Sequence, residues 1–425
     1  MLTVSNFTTS LKRSYPISNR TIKSNISADI CIIGAGIVGL SIANQILERY
    51  GNLSIVIIDK ESEVGKHTSG RNSGVLHAGI YYPPESLKAK VCVAGARRLK
   101  RWCEEENLPI LNCGKVITPQ KPKLDGQLEV LLERGLKNGA AVEIIDQQQF
   151  NELVPDGKTS SGRALWSPDT CVVKPILVIK RLKERLKERG VNFLMANNKI
   201  DFVANNQKVI LNYHAVNYGH LFNCAGLQSD RVAHNFDVGK ELTMLPFKGS
   251  YWQLKKNTPF NFNTNLYPVP DLEVPFLGVH VTPSIDGVTY LGPTATPALG
   301  RENYSGLRGI EPLMTLDFIR HMVTQVTIDK KMRNYVSDQA FDWTPTRFLT
   351  SVQAIIPKIE MIHIERSSKV GIRPQLYDKN KKELIQDFLM LNGENSTHVV
   401  NAISPAFTAS FALADHILDN SDFNQ

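Results

Sequence analysis

Residues 29–59 read DICIIGAGIVGLSIANQILERYGNLSIVIID. An apolar run ends at Gly34, a helical segment continues past Gly39, and a β-branched run ends at Asp59. Gly34 permits a tight turn, Gly36 lets a diphosphate approach the backbone, and Gly39 lets the helix pack closely on the strand. Asp59 stands at the distance from these glycines where an acid accepts hydrogen bonds from an adenosine ribose. The stretch therefore predicts a Rossmann-like βαβ unit that binds a dinucleotide at the amino end of its helix.

The glycine turn leaves the dinucleotide undetermined, since it suits FAD and NAD equally. A glycine-rich turn without a nucleotide is the structural alternative, but strand, helix and acid all fall in register. The next residues, 67–82, read HTSGRNSGVLHAGIYY. A loop this rich in glycine, small polar side chains and histidine would place hydrogen-bond donors and close backbone around phosphate and flavin edges. We therefore expect this loop to contact the same nucleotide.

Further short motifs are spread over almost the whole chain. They are residues 72–82, SLKAK at 86–90, CGK at 113–115, 223–227 with 229–230, PFKG at 246–249, YPVPD at 267–271, 275–280, LGP at 291–293 and SPA at 404–406. In these motifs the sequence resembles the L-2-hydroxyglutarate dehydrogenase/oxidase family of D-amino-acid-oxidase-like flavoproteins. The resemblance implies FAD, not NAD. It also implies oxidation of L-2-hydroxyglutarate to 2-oxoglutarate, with hydride transfer from C2 to flavin N5 and electrons passing to a quinone or to oxygen.

The glycine turn and the resemblance together predict which residues hold FAD. Ser404 precedes the final helix, whose free N–H groups would stabilise negative charge on the reduced flavin; capping of that helix by Ser404 is the alternative. Gly226 opens another turn expected near the cofactor. The full predicted set is Gly34, Gly36, Gly39, Asp59, Lys60, Ser69, Arg71, Asn72, Ser73, Gly74, Gly226 and Ser404. No metal site is predicted.

Two histidines are candidates for the base that accepts the substrate hydroxyl proton. His77 is the first choice, because imidazole titrates near neutral pH and can accept a proton as the hydride leaves. His280 is its rival, because it lies on an expected strand of the substrate-binding sheet. The structural alternatives are a histidine that only hydrogen-bonds the flavin or the backbone, and a half-buried sheet residue.

Two cations are candidates for binding the carboxylates of a dicarboxylic acid. Arg373, in the motif GIRP, would bind one carboxylate through its planar guanidinium, and Lys248 would bind the second. The alternatives are an arginine that ties a loop to the protein's own carboxylate and a lysine on a surface strand. Tyr81 and Tyr251 could donate hydrogen bonds near the ring, although such residues more often serve packing.

Five positions depart from the pattern expected of the family. Arg71 stands where we expect His, Lys174 where we expect Asp, and Lys248 where we expect Arg. Pro374 replaces an alanine, and Phe407 replaces a small residue beside the final helix. Lys248 keeps the positive charge but loses the bidentate fork of arginine. These departures leave the fold and cofactor as predicted and bear on the identity of the acid.

The pattern of elements predicts an α/β fold with two domains. We expect a Rossmann-like FAD-binding domain assembled from residues 29–110, 166–243 and 366–425. A mostly antiparallel substrate-binding sheet is expected to be inserted into it, from residues 111–165 and 244–365. A basic leader at residues 1–28 precedes both.

Composition narrows the classes of partner. The net charge is +8, but the basic residues are interleaved with acids on helices, a pattern typical of solvated faces, so we expect no nucleic acid. No apolar run is long enough to span a bilayer; peripheral membrane contact stays open. None of the six cysteines forms a C-x-x-C pair, which fits a reducing compartment.

The leader carries basic residues and no acid in residues 1–28. This composition resembles a mitochondrial targeting segment, and a basic leader without an address is the alternative. We expect a mitochondrial protein if the source is eukaryotic, and otherwise a cytoplasmic one that could sit peripherally at the inner membrane. The functional alternatives are oxidation of another 2-hydroxy acid or amino acid, a flavin-binding protein without catalysis, and an NAD-dependent dehydrogenase.

Overall fold

A computed structural model describes residues 24–212, 214–270, 278–328, 330, 333 and 344–424 of the chain. Residues 1–23 of the predicted leader lie outside the described residues. The α-helices are α1 (Ile37–Tyr50), α2 (Leu87–Glu105), α3 (Gln127–Lys137), α4 (Gln147–Leu153), α5 (Pro175–Glu188), α6 (Ser229–His234), α7 (Pro312–Ile328), α8 (Pro345–Gln353) and α9 (Ala406–Asp419).

The strands belong to two large sheets and one small one. They are β1 (Ser24–Ile33), β2 (Ile55–Ile58), β3 (Val75–Leu76), β4 (Ile110–Leu111), β5 (Lys115–Thr118), β6 (Glu143–Asp146), β7 (Arg163–Ser167), β8 (Cys171–Val173), β9 (Asn192–Leu194), β10 (Asp201–Val203), β11 (Lys208–Ile210), β12 (His214–Asn223), β13 (Leu242–Leu254), β14 (Asn265–Pro268), β15 (His280–Pro283), β16 (Thr289–Gly292), β17 (Thr296–Pro297), β18 (Ile364–Asp378), β19 (Glu383–Leu384), β20 (Leu389–Gly393) and β21 (Ser396–Asn401).

The first large sheet has the doubly wound order of a nucleotide-binding domain at its centre. Its main path is β10-β11-β12-β1-β2-β9, and β21 also pairs with β12. β1 runs parallel to both β2 and β12. The whole of β2 and the last residues of β1 are buried, as expected for parallel strands covered on both faces. The carboxyl ends of β1, β2 and β12 therefore meet at one edge of this sheet.

Helices cover this sheet and set its core. α9 packs against both α1 and α2. Gly95 of α2 makes the second contact close, because a Cβ at this position would lie 2.6 Å from the Ala409 Cα. The start of α9 is thereby held beside the amino end of α1.

The second large sheet follows the order β19-β18-β13-β16-β15-β14-β5-β7-β6. Its neighbours are antiparallel except for β14 and β5, which run parallel. The long antiparallel pair of β13 and β18 forms its backbone, with Phe247 opposite Arg373 and Lys248 opposite Ile372. The two sheets agree with the predicted α/β class, a Rossmann-like domain joined to a mostly antiparallel sheet.

The strand pairing differs from the predicted segments at two places. β1 begins at Ser24, so residues 24–28 of the predicted leader pair with β12. β18 pairs with β13 over most of its length, so residues 366–378 belong to the second sheet and not to the last segment of the first domain. In both cases the pairing partner is distant in sequence, and only the tertiary fold reveals it.

Candidate active site between the two sheets

One cavity runs from the amino end of α1 to the inner surface of the second sheet. Eleven predicted site residues line it: Gly36, Ser69, Arg71, Asn72, Ser73, His77, Gly226, Lys248, His280, Arg373 and Ser404. The other predicted cofactor residues, Gly34, Gly39, Asp59, Lys60 and Gly74, lie outside its lining. The fold thus gathers seven of the twelve predicted cofactor residues and all four predicted catalytic residues around one space.

The turn after β1 is shaped by contacts that leave no room for side chains. Gly34 has φ +108°, and a Cβ there would collide with the Cys224 carbonyl oxygen at the end of β12. A Cβ on Gly39 would collide with the Gly34 carbonyl oxygen, and one on Gly36 would lie 2.9 Å from Ser69 Oγ. Gly36 is the N-cap of α1 and has no side chain of its own to cap the helix, while Ser69 Oγ accepts only the first N–H, that of Ile37. The N–H groups that follow are therefore suited to an anionic group.

Asp59 fixes this turn from the end of β2. Its Oδ2 accepts a hydrogen bond from the Ala35 N–H at 2.7 Å, and its Oδ1 accepts one from the Glu61 N–H at 2.8 Å. Each carboxylate oxygen can accept a further bond. Asp59 thus shapes the glycine turn directly, a role that the spacing alone did not reveal.

Lys60 lies in a separate charged cluster. Its Nζ donates to Glu61 Oε1 at 2.5 Å and lies 2.8 Å from Glu302 Oε1 and 2.9 Å from His67 Nε2. Glu61, His67 and Glu302 have the spacing of metal ligands. The ammonium of Lys60 already supplies a cation to both carboxylates.

The loop after β2 is held by its own polar side chains. Ser69 Oγ accepts a hydrogen bond from the Ile37 N–H at 3.0 Å. Asn72 donates to the Ser69 carbonyl at 2.7 Å and accepts from the Gly74 N–H at 2.9 Å. The Arg71 guanidinium lies 4.2 Å from the centre of the Tyr304 ring. These contacts pre-organise the loop along the cavity wall.

The start of α9 also lines the cavity. Pro405 is its N-cap, and no side chain caps the helix, so the alternative of capping by Ser404 is wrong. Gly226 has φ +56° with open space where a Cβ would stand. The amino ends of α1 and α9 therefore both line this cavity, and neither N-cap residue supplies a capping side chain.

His77 follows β3 at the centre of the cavity. Its backbone N–H donates to Thr408 Oγ1 of α9 at 3.2 Å. Its ring Nδ1 is buried with no hydrogen-bond partner in the part of the chain described here. Burial lowers the pKa of His77 to about 3, and electrostatic interactions with Lys115 and with His280 act in the same direction. The imidazole is therefore uncharged at neutral pH and available to accept a proton.

His280 begins β15 on the facing sheet. Its Nδ1 lies 3.0 Å from the Gly278 carbonyl oxygen, so Nδ1 carries the proton and Nε2 keeps its lone pair. Its ring stacks on Tyr267, with ring centres 3.9 Å apart. Burial lowers the pKa of His280 to about 4. Both predicted base candidates are thus uncharged and line the same cavity.

The predicted cations lie on the paired strands β13 and β18. Lys248 Nζ donates to Asn303 Oδ1 at 2.8 Å, and burial lowers the pKa of Lys248. Arg373 is half-buried at the cavity wall. Both side chains line the cavity. Lys248 is therefore more than a lysine on a surface strand, which was the structural alternative.

The remaining predicted residues divide between cavity and surroundings. Tyr251, Pro374 and Phe407 line the cavity, whereas Tyr81 lies outside its lining. Lys174 pairs with Asp286 on the surface, Nζ to Oδ1 at 2.9 Å. Of the five departures from the family pattern, Lys174 is therefore the one placed away from the cavity.

Sequence reasoning missed three residues of this region. Tyr267 lines the cavity beneath His280, Thr408 holds the His77 backbone, and Lys115 is fully buried near both histidines. Tyr267 and Lys115 each stand in a motif shared with the family, YPVPD and CGK, which was the available signal. Nothing in the local pattern marks Thr408, because its contact comes from a distant helix.

Comparison with known proteins agrees with this geometry. The family described as FAD dependent oxidoreductase matches residues 29–419. This match confirms the predicted cofactor, FAD, and the predicted class of enzyme. The chain is 34% identical over 406 residues to the L-2-hydroxyglutarate dehydrogenase, mitochondrial, of Caenorhabditis elegans, covering 92% of each chain. It is 33% identical to the human protein of that name, covering 93% of this chain and 89% of the human one.

Bacterial and structural relatives agree. The L-2-hydroxyglutarate dehydrogenase of Indibacter alkaliphilus is 33% identical, with 92% of this chain and 98% of that protein covered. The dithionite-reduced L-alpha-glycerophosphate oxidase of Mycoplasma pneumoniae with FAD bound has a TM-score of 0.70 at 20% identity, over 92% of this chain and 94% of that one. A glycine oxidase of Geobacillus kaustophilus has a TM-score of 0.69 at 14% identity, over 93% and 94%. The chain therefore belongs to the FAD-dependent oxidoreductases and, among them, to the L-2-hydroxyglutarate dehydrogenase family.

Proposed function

We propose that this enzyme oxidises L-2-hydroxyglutarate to 2-oxoglutarate in the cavity between its two sheets. The observation that carries the proposal is the convergence of two uncharged histidines and two cationic side chains on the cavity that begins at the amino end of α1. An acid with two carboxylates and a hydroxyl is complementary to this set of groups. The relatives named L-2-hydroxyglutarate dehydrogenase support the same substrate.

FAD fits the residues at the two helix ends. The amino end of α1 would hold the diphosphate, and the loop at residues 69–74 would line its side. The uncapped amino end of α9 would stabilise negative charge on the flavin. When bound, FAD supplies the hydride acceptor.

The protein residues divide the remaining work between proton and charge. An imidazole nitrogen of His77 accepts the hydroxyl proton, and His280, with Nε2 unprotonated, is the second candidate. Arg373 binds one carboxylate through its fork. Lys248 keeps donors free beside its bond to Asn303 and binds the other carboxylate. Together they orient C2 for hydride transfer.

Particular residues of the cavity wall favour a different 2-hydroxy acid as an alternative substrate. Phe407 and Pro374 add bulk where the family pattern has small residues, and Lys248 binds a carboxylate with less geometric restraint than arginine. Another 2-hydroxy acid is therefore the alternative substrate, with unchanged chemistry.

The substrate assignment is tested by mixing the enzyme anaerobically with single compounds and following loss of flavin absorbance. L-2-Hydroxyglutarate should bleach the flavin fastest among 2-hydroxy acids, amino acids and glycerol phosphate, because only a dicarboxylate engages both Arg373 and Lys248. Faster bleaching by another acid would replace the substrate. A yellow protein that no compound bleaches would be a flavin-binding protein without this activity.

The base is tested by His77→Gln, with His280→Gln as the matched variant. His77→Gln should slow flavin reduction by about 10²-fold or more, the contribution typical of a general base, while binding of 2-oxoglutarate stays near the wild-type level. His280→Gln should lose less. Stopped-flow reduction and product binding measure the two effects. A larger rate loss in His280→Gln would transfer the role to His280, and equal losses of rate and binding would make His77 structural.

The reduced flavin would pass its electrons to a quinone or to oxygen. An exposed apolar face of α7 supports a membrane quinone as the acceptor. Leu313, Leu316, Ile319 and Val323 expose 80%, 64%, 52% and 57% of their surface and recur on one face of the helix. Arg308, Arg320 and Lys330 are exposed nearby. No helix among the described residues has the length and apolar character to cross a bilayer. We infer peripheral contact of this face with an anionic lipid surface.

The lipid contact is tested by sedimentation with vesicles that contain anionic phosphatidylglycerol. The wild type should bind, and Leu316→Ser with Val323→Ser should weaken binding about tenfold or more, since loss of ~1.4 kcal/mol of apolar burial suffices for that factor. Leu136→Ser, at an exposed leucine of α3, is the control. No binding by the wild type, or an equal loss in the control, would contradict the contact.

The composition of the leader supports a proposal for the cellular location. Its basic, acid-free composition supports import into mitochondria in a eukaryotic source, and the animal relatives compared above are named mitochondrial. In a bacterial source we propose a cytoplasmic enzyme whose α7 face meets the inner membrane.

A further inference from the structure

A lysine with no partner is buried near the two histidines. Lys115 begins β5 and exposes none of its surface. Its Nζ lies 4.9 Å from the centre of the Tyr81 ring and 5.5 Å from that of Tyr267. Nζ has no hydrogen-bond partner among the residues that the structure describes. A buried ammonium in this state costs several kcal/mol, so its presence calls for a function.

The aromatic rings connect this ammonium to the active site. The Tyr267 ring contacts both side chains. Lys115 Nζ lies 5.5 Å from its centre, and the His280 ring stacks on it with ring centres 3.9 Å apart. The Lys115 charge acts on both histidines and lowers the pKa of each, after burial as the first cause. Ring faces bind a cation without accepting its proton. The charge is thereby held at a fixed place beside the cavity without being neutralised.

The other titratable groups of this region carry no charge at neutral pH. They are Cys92 on α2, Tyr81 and Tyr82 after β3, and Tyr267 on β14. Burial raises the pKa of Cys92 to about 12 and raises the pKa of each tyrosine above its ordinary value. Burial lowers the pKa of Lys115 to about 8, so it stays mostly charged at neutral pH and discharges above that value.

Two further basic groups lie on the elements packed against this region. Lys88 of α2 and Arg373 of β18 interact with each other and with Tyr82. Asp387 is the carboxylate on that side, and it accepts the N–H groups of Leu87 and Lys88 at the start of α2. Burial lowers the pKa of Lys88 to about 7, with the positive charge of Arg373 acting in the same direction. Lys115 is thus the charged group of this region that acts on both histidines.

We propose that Lys115 is a positioning residue, whose ammonium on the Tyr81 and Tyr267 rings adds to burial in holding down the proton affinity of His77 and His280 until the substrate binds. The inference rests on the proposed proton-accepting role of these histidines. A dianionic substrate brings two negative charges beside the imidazoles, which offsets the Lys115 charge and raises their basicity when a proton must be accepted. The proton passes from the substrate hydroxyl to an imidazole nitrogen, and Lys115 neither gains nor loses one.

The experiment follows imidazole titration in the holoenzyme by histidine-selective ¹³C labelling and NMR. The chain has 10 histidines, and His77→Gln and His280→Gln assign the two relevant signals. In the wild type neither signal should titrate between about pH 6 and 7, where an unperturbed imidazole does. In Lys115→Met at least one midpoint should rise by about one unit or more, and the acid limb of the flavin-reduction rate should move up with it.

Two further variants separate charge from packing. Lys115→Arg keeps the charge and should leave the midpoints near their wild-type positions. Lys137→Met removes an exposed lysine of α3 and should change neither signal. Unchanged midpoints in a Lys115→Met protein that retains FAD would overturn the proposal. A wild-type His77 or His280 signal that titrates like a free imidazole would overturn it without any variant.

The two proposals fail in different ways. If His77→Gln and His280→Gln both reduce FAD at the wild-type rate, the base assignment fails, while the midpoint shift in Lys115→Met still reports whether Lys115 controls the histidines. If the base assignment stands and the midpoints do not move, only the role of Lys115 is lost.

Discussion

The site depends on the meeting of three parallel strands at one edge of the first sheet. β1 leads into the glycine turn, β2 is followed by Asp59, and β12 is followed by Cys224. The Ala35 N–H bond to Asp59 and the close approach of Gly34 to Cys224 fix where α1 begins. A nucleotide at the carboxyl edge of such a sheet is the general rule for this architecture. The rest of the cavity is built outward from that point.

Distant segments complete the cavity by packing on this frame. The contact of Gly95 with Ala409 sets the start of α9, and Thr408 on α9 then holds the His77 backbone. The second sheet closes the other side with Lys248, His280 and Arg373. His77 thus comes from one layer, while His280 and both cations come from the other, so their relative positions depend on how the layers pack.

Short-range sequence patterns predict much of this structure. The glycine turn, the helices with apolar faces and the motif around His77 are short-range patterns; they predicted the fold and a bound dinucleotide, and the family resemblance predicted FAD and several residues that line the cavity. The assignment of residues 366–378 failed because β18 chooses its partner β13 more than a hundred residues away. Lys115 escaped notice because a lysine at the start of a strand is ordinarily exposed, and its burial depends on segments distant in sequence that bring the Tyr81 and Tyr267 rings to it.

The dependence of FAD binding on the turn after β1 is tested by the FAD content of Gly34→Ala beside that of Gly51→Ala. Both glycines have positive φ, but a Cβ at Gly34 would collide with the Cys224 carbonyl, whereas one at Gly51 has open space. We expect Gly34→Ala to fold with little or no bound FAD, while Gly51→Ala should keep the FAD content of the wild type. Full FAD content in Gly34→Ala would show that the dinucleotide does not depend on the turn at the end of β1.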